Sequence, residues 1–132
     1  MKNWMKLVGV LCFWMTACIE AESASGWSDE FISTLSSKDC RGIASGDRNY
    51  CETADCKGLA KQDANYCETS DCKGVVKKSK SYCSSDLCKA WASEDANYCR
   101  TADCKGIVKK DKNYCSSKQC KAIATGDKNY CP

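Results

Sequence analysis

Two cysteine columns that step by sixteen residues constrain this chain more than any local propensity does. Cys40, Cys56, Cys72, Cys88, Cys104 and Cys120 form one column, and Cys51, Cys67, Cys83, Cys99, Cys115 and Cys131 form the other. The step is never broken by an insertion, so six copies of one unit run to the C-terminus. One copy reads Asp63-Ala-Asn-Tyr-Cys67-Glu-Thr-Ser-Asp-Cys72-Lys-Gly-Val-Val-Lys-Lys78. Self-similarity at a fixed short period predicts an array in which each unit buries its apolar side against its neighbours.

The columns of the unit have physical roles. Asp47, Asp63, Ser79, Asp95, Asp111 and Asp127 stand four residues before the second-type Cys, and Thr53, Thr69, Ser85, Thr101 and Ser117 stand two after it. Both sets contain only residue types that cap helix N-termini. Asp55, Asp71 and Asp103 then put a carboxylate into the first turn, where the helix dipole favours it. Behind the first-type Cys comes a small residue, Gly42, Gly58, Gly74, Ala90, Gly106 or Ala122. Two members are Ala, so the position calls for close approach rather than positive φ. A large apolar column follows: Ile43, Leu59, Val75, Trp91, Ile107 and Ile123. A helix over about Thr69 to Lys77 sets Cys72, Val75 and Val76 on one face. A second capped turn, opened by Ser79, leads to Tyr82 and Cys83.

A longer period overlies the first. Asp63 to Cys99 matches Asp95 to Cys131 at 26 of 37 positions. The expected fold is therefore all-α: a disulfide-stapled array of short helices, its six 16-residue repeats pairing as 32-residue antiparallel hairpins. In outline this is similar to disulfide-linked helical repeats of the Sel1-like class, whose longer unit and Gly and Tyr pattern are not found here. Residues 27–38 are expected to add an N-terminal cap helix, because Trp27, Phe31 and Leu35 recur at helical spacing. Residues 39–132 are the cysteine-rich repeat domain.

Twelve repeat cysteines in an exported chain are expected to be disulfide-bonded. If Cys67 and Cys72 lay in one helix, their Cα atoms would stand roughly 8–9 Å apart, too far for a bridge. That pairing would also strand Cys40 and Cys131 at opposite ends. The expected bridges are therefore Cys40–Cys51, Cys56–Cys67, Cys72–Cys83, Cys88–Cys99, Cys104–Cys115 and Cys120–Cys131. A Cys-only metal site is the weaker alternative, and neither a metal nor a cofactor is expected.

Residues 1–17 read as an export signal. Lys2 and Lys6 precede an apolar run, Leu7 to Ala17, too short to be a permanent membrane span. Met15-Thr16-Ala17-Cys18 at its end resembles the lipobox of bacterial lipoprotein signals. The resemblance implies cleavage before Cys18, acylation of Cys18 (palmitate among the chains it would carry), and residues 18–26 as a lipidated tether. Ile19 in place of Asp points to the outer membrane. The alternative is ordinary cleavage and a soluble periplasmic or secreted protein, an inhibitor or effector-like scaffold.

Function is less constrained. The chain has no His, which removes catalytic triads, Cys/His pairs and mixed zinc sites. No carboxylate stands in a distinct, non-repeated motif, so the chain is not expected to be an enzyme. Charge is uneven: Asp39 to Asp71 carries four cations and seven anions, whereas Cys72 to Cys131 carries thirteen and six. The excess centres on Lys77, Lys78 and Lys80 and again on Lys109, Lys110 and Lys112. These six lysines are the candidate surface for an anionic envelope component or an acidic protein. No nucleic-acid partner is expected. The expected role is structural or ligand-binding, in the cell envelope.

Overall fold

The structure, a computed structural model, describes residues 26–132; the export segment and Cys18 lie outside the described residues. Among the described residues six helices follow one another: α1 (Ser37–Ser45), α2 (Ala54–Lys61), α3 (Ser70–Lys77), α4 (Asp86–Ser93), α5 (Ala102–Lys109) and α6 (Lys118–Thr125). A three-residue 3-10 turn follows each, from Arg48–Tyr50 to Lys128–Tyr130. There is no strand among the described residues. The chain is an all-α, disulfide-stapled array of six sixteen-residue repeats.

The caps set these lengths. The side chains of Ser36, Thr53, Thr69, Ser85, Thr101 and Ser117 each accept from the N–H three residues on, starting a helix. Eight or nine residues later a left-handed residue stops it. Gly46 and Gly126 take that conformation easily, but Gln62, Lys78, Glu94 and Lys110 also hold it, with φ of 54–57°. Asp47, Asp63, Asp95, Asp111 and Asp127 then accept from the N–H two residues on, at 2.9 Å, and open the 3-10 turns.

The disulfides differ from the expected set. The bonds are Cys51–Cys56, Cys67–Cys72, Cys83–Cys88, Cys99–Cys104 and Cys115–Cys120, with Cα separations of 5.4–5.5 Å, and a sixth joins Cys40 to Cys131 at 5.9 Å. All twelve repeat cysteines are bonded, but none across the ten-residue gap. Cys67 is not in a helix. It is an extended residue (φ −69°, ψ 137°) between a 3-10 turn and the Thr69 cap. The corner folds it back over the first turn of α3, so the helix-based separation does not apply.

Cys40 and Cys131 are not stranded, because the array closes into a ring. α6 packs against α1 as neighbouring helices pack elsewhere. Counted around the closed ring, Cys40 stands five positions after Cys131, the same offset as in the other bonds. Lys128 Nζ donates to the Tyr50 hydroxyl at 2.9 Å across this seam, as Lys80 donates to Tyr98 at 2.8 Å within the chain. The seam is a sixth copy of one interface. A ring also leaves no exposed repeat end for a cap to cover.

Neighbouring helices run in the same sense, not as antiparallel pairs. The residues at the N-terminal ends of α2 to α6 all meet the 26–35 segment on one face of the ring. The C-caps of α2 to α5 line a cavity on the other. The thirty-two-residue period survives as side-chain chemistry laid over a backbone of period sixteen.

Residues 29–34 form successive turns, and residues 27 and 28 are irregular, where a continuous helix was expected. They seat in the middle of the ring. Trp27 stacks on Phe31 at 4.1 Å and meets Trp91 at 5.9 Å. Its backbone N–H donates to Asp71 at 2.8 Å and its indole N–H to Asp55 at 3.2 Å. Gln119 donates to the carbonyls of Ser33 and Leu35, and Arg100 pairs with Asp29 at 3.6 Å. Ile32, outside the expected stripe, is the most buried residue of the segment.

Carboxylates, three of them buried and Asp55 half-buried, tie four of the six repeats to the next. Asp39, Asp55, Asp71 and Asp103 each accept from a backbone N–H thirteen residues on and from a Ser or Thr hydroxyl fourteen on. Leu87 and Gln119 replace them in the other two repeats, and these are the repeats whose small residue is Ala90 or Ala122. The coincidence has a steric reason. At Gly106 an added Cβ would lie 2.5 Å from Cys115 Sγ and 2.8 Å from Cys120 Sγ. Asp103 holds the link that follows Cys115 through Ser116 and Ser117, and the sulfurs leave no room for a Cβ at Gly106. Gly106→Ala is expected to cost about 1–3 kcal/mol by overpacking. In combination with Asp103→Leu, which copies the Leu87 repeat, the cost should fall by more than about 0.5 kcal/mol from additivity. Additive denaturation free energies would remove this explanation.

Candidate binding site

The ring brings its large apolar column to one place. Ile43, Leu59, Val75, Trp91, Ile107 and Ile123, one from each repeat, line a single cavity of about 350 Å³ together with Val108. The expectation for this column was core packing. That packing is present, with Leu59, Val75 and Ile107 buried and Ile43, Trp91 and Ile123 packed against the same core; closure of the ring also leaves a space on the axis that the six side chains do not fill. The volume falls within the ~300–1,000 Å³ usual for small-molecule sites.

The cavity is apolar below and polar above. Trp91 lines it and also contacts the Trp27 plug. Gln62, Lys78, Glu94 and Lys110 stand at its mouth, on the face of the helix C-caps. Among the described residues these are the four non-glycine residues held in the left-handed region. At Gly46 and Gly126, adjacent across the seam, no side chain guards the mouth. Long polar side chains are thus kept at positions where Gly would be easier by roughly 1 kcal/mol. Lys78 Nζ lies 3.8 Å from Glu94 in an exposed pair; among the described residues Lys110 is in no ion pair.

The six lysines of the expected anionic-partner patch separate into three roles. Lys78 and Lys110 are the mouth residues. Lys77 and Lys109 lie over the rings of Tyr82 and Tyr114 at 5.6 and 5.7 Å. Lys80 and Lys112 donate to the hydroxyls of Tyr98 and Tyr130 at 2.8 and 2.6 Å. The tyrosine oxygens hold both ammonium groups above the usual lysine pKa. The two clusters belong to α3 and α5, with α4 and Glu94 between them, so they share a face of the ring without forming one continuous patch.

A tyrosine belt runs around the outside. Arg48 meets Tyr66 and Lys128 meets Tyr50 as Lys80 and Lys112 meet their tyrosines. Where the donor position is Ala64 or Ala96, the partner tyrosine is the exposed one, Tyr82 or Tyr114. On the opposite face Arg100 bonds Asp86 at 3.0 Å, which together with Asp29 raises its pKa.

Asp39, Asp55, Asp71 and Asp103 each lie with two cysteine sulfurs within 4.8 Å of one another. This is not a thiolate ligand set, because each pair of sulfurs shares a disulfide. The carboxylates are engaged in the links already described. The residues that sequence reasoning missed are Gln62 and Glu94. The signal that could have found them is the break in their column: Gly at two repeats and long polar residues at four.

No helix among the described residues is long and apolar enough to cross a membrane. No protein-family model, curated protein or solved structure matches this chain.

Proposed function

We propose that this is a non-catalytic binding protein of the cell envelope, anchored at the outer membrane through an acylated Cys18, whose ring holds a ligand in its axial cavity. The observation that carries the reading is the convergence of six apolar side chains on one open cavity of about 350 Å³. The deep wall is Ile, Leu, Val and Trp, so it offers a bound molecule no acid, base or nucleophile. Gly26 lies beside Ser84 and Asp71, on the face opposite the mouth. In this reading the tether to Cys18 joins the ring on the face opposite the mouth.

A fatty-acid analogue fed to cells making the full chain tests the anchor. The expected result is a labelled protein in the membrane fraction, with no label on Cys18→Ala. An unlabelled, freely soluble mature protein would remove the anchor and favour the secreted alternative.

A further inference from the structure

We infer that the axial cavity takes a single-chain anionic amphiphile, its alkyl chain inside the ring and its carboxylate or phosphate at Lys78 and Lys110. The inference rests on the proposed binding role and names the ligand class for it. Three observations support it together. The cavity is walled by seven apolar side chains, of which Trp91 packs on Trp27 of the plug, and its polar residues all lie at the C-cap end, so it suits one apolar chain entering from that end. Its rim is polar and carries two lysines against one glutamate. Further lysines, Lys61, Lys77 and Lys109, stand in the last turns of α2, α3 and α5 on the same face. An apolar interior below a net cationic rim is complementary to an anionic head on an alkyl chain, and opposes a cationic one.

The rim geometry adds a reason for these two lysines. Both are C-caps held at φ 54–55°, so their backbones are fixed at the mouth while their side chains stay free to reach a head group. Gln62 occupies the same position and conformation in α2. Gln is therefore a substitution the ring already accommodates, and Lys78→Gln with Lys110→Gln removes charge without disturbing the fold.

The chain supplies its own reporter. Beyond the export segment, which holds Trp4 and Trp14, its tryptophans are Trp27 and Trp91. Trp91 lines the cavity and Trp27 touches it. The experiment titrates the oxidised mature protein with bromine-tagged dodecanoate below its micelle concentration and follows tryptophan quenching. Dodecyl phosphate, dodecanol and dodecyltrimethylammonium then compete for the site. The expected result is saturable quenching, displacement by dodecyl phosphate, and competition by the cationic amphiphile at least about tenfold weaker. The Lys78→Gln, Lys110→Gln variant should bind dodecanoate about tenfold more weakly, bind dodecanol unchanged, and lose most of the salt dependence. If dodecanol and the cationic amphiphile compete as well as the anions, and the variant binds normally, the anionic-head inference is overturned while a binding cavity stands. If no amphiphile quenches or competes, both the inference and the cavity-based reading are overturned.

Discussion

Replacing Cys40 and Cys131 together by Ala is expected to destabilise the oxidised protein by about 4–5 kcal/mol, roughly twice the effect of removing any other single bridge. The reason is loop length. The Cys40–Cys131 bond spans 91 residues, whereas the other five span five. In the chain-entropy description a loop near 100 residues contributes about 4.7 kcal/mol and a six-residue loop about 2 kcal/mol. Opening the seam also weakens the Lys128–Tyr50 and Ser37–Pro132 hydrogen bonds, which cross it. Equilibrium unfolding in denaturant, compared with a Cys83→Ala, Cys88→Ala control, measures the difference. Equal losses for the two double variants would mean that the closing bond holds nothing together that the helices do not.

Trp27→Ala is expected to cost about 3–5 kcal/mol, the range for truncating a large buried aromatic. Trp27 is 8% exposed. Its indole stacks on Phe31, contacts Trp91 and donates to Asp55. Truncation removes all three and unseats the segment that closes the ring below. The cavity should then open through both faces and bind an apolar dye that the wild type takes up less. Thermal or denaturant unfolding with dye titration tests both effects. A cost under about 1 kcal/mol with unchanged dye binding would show that the plug is not seated as described.

The parts of this fold that were legible in the sequence are those decided within one repeat. Thr69 as cap, a helix running to Lys77 and the turn into Tyr82 follow from residue types at fixed offsets, and the structure has them there, although Ser79 makes no side-chain cap bond at the head of that turn. The small residue beside the disulfide was legible for the same reason: Ala at two of six positions ruled out positive φ and left close approach, which the Gly106 geometry bears out. What was not legible was closure. A sixteen-residue period is compatible with an open superhelix or a ring, and the choice depends on a small rotation between units summed over six steps. The pairing error came from the same place. Treating Cys40 and Cys131 as distant ends made the five-residue pairing look wasteful, whereas in a ring those two ends are neighbours. The chain begins its repeats on one Cys type and ends them on the other, which is the pattern a closed ring requires.

The site was legible only in its ingredients. The large apolar column and the six lysines were both visible, but an apolar column reads as core until something shows that it fails to fill the space it faces. Likewise Lys77, Lys78 and Lys80 are nearly adjacent in sequence, yet one turn of backbone sends them to a tyrosine ring, a cavity mouth and a tyrosine hydroxyl. Helix-end geometry, not charge count, separates them.

Closure of the ring is tested most directly by a tryptic map of the oxidised protein without reduction. Cleavage after Lys and Arg releases residues 39–41 with Cys40 and residues 129–132 with Cys131. The ring requires these two short peptides, from opposite ends of the repeat domain, to appear as one disulfide-linked species. It also requires residues 49–57, 62–73 and 81–89 each to carry an internal bond and no partner peptide. If residues 39–41 are found linked to residues 49–57 instead, the bridges cross the ten-residue gap, and the closed ring is contradicted.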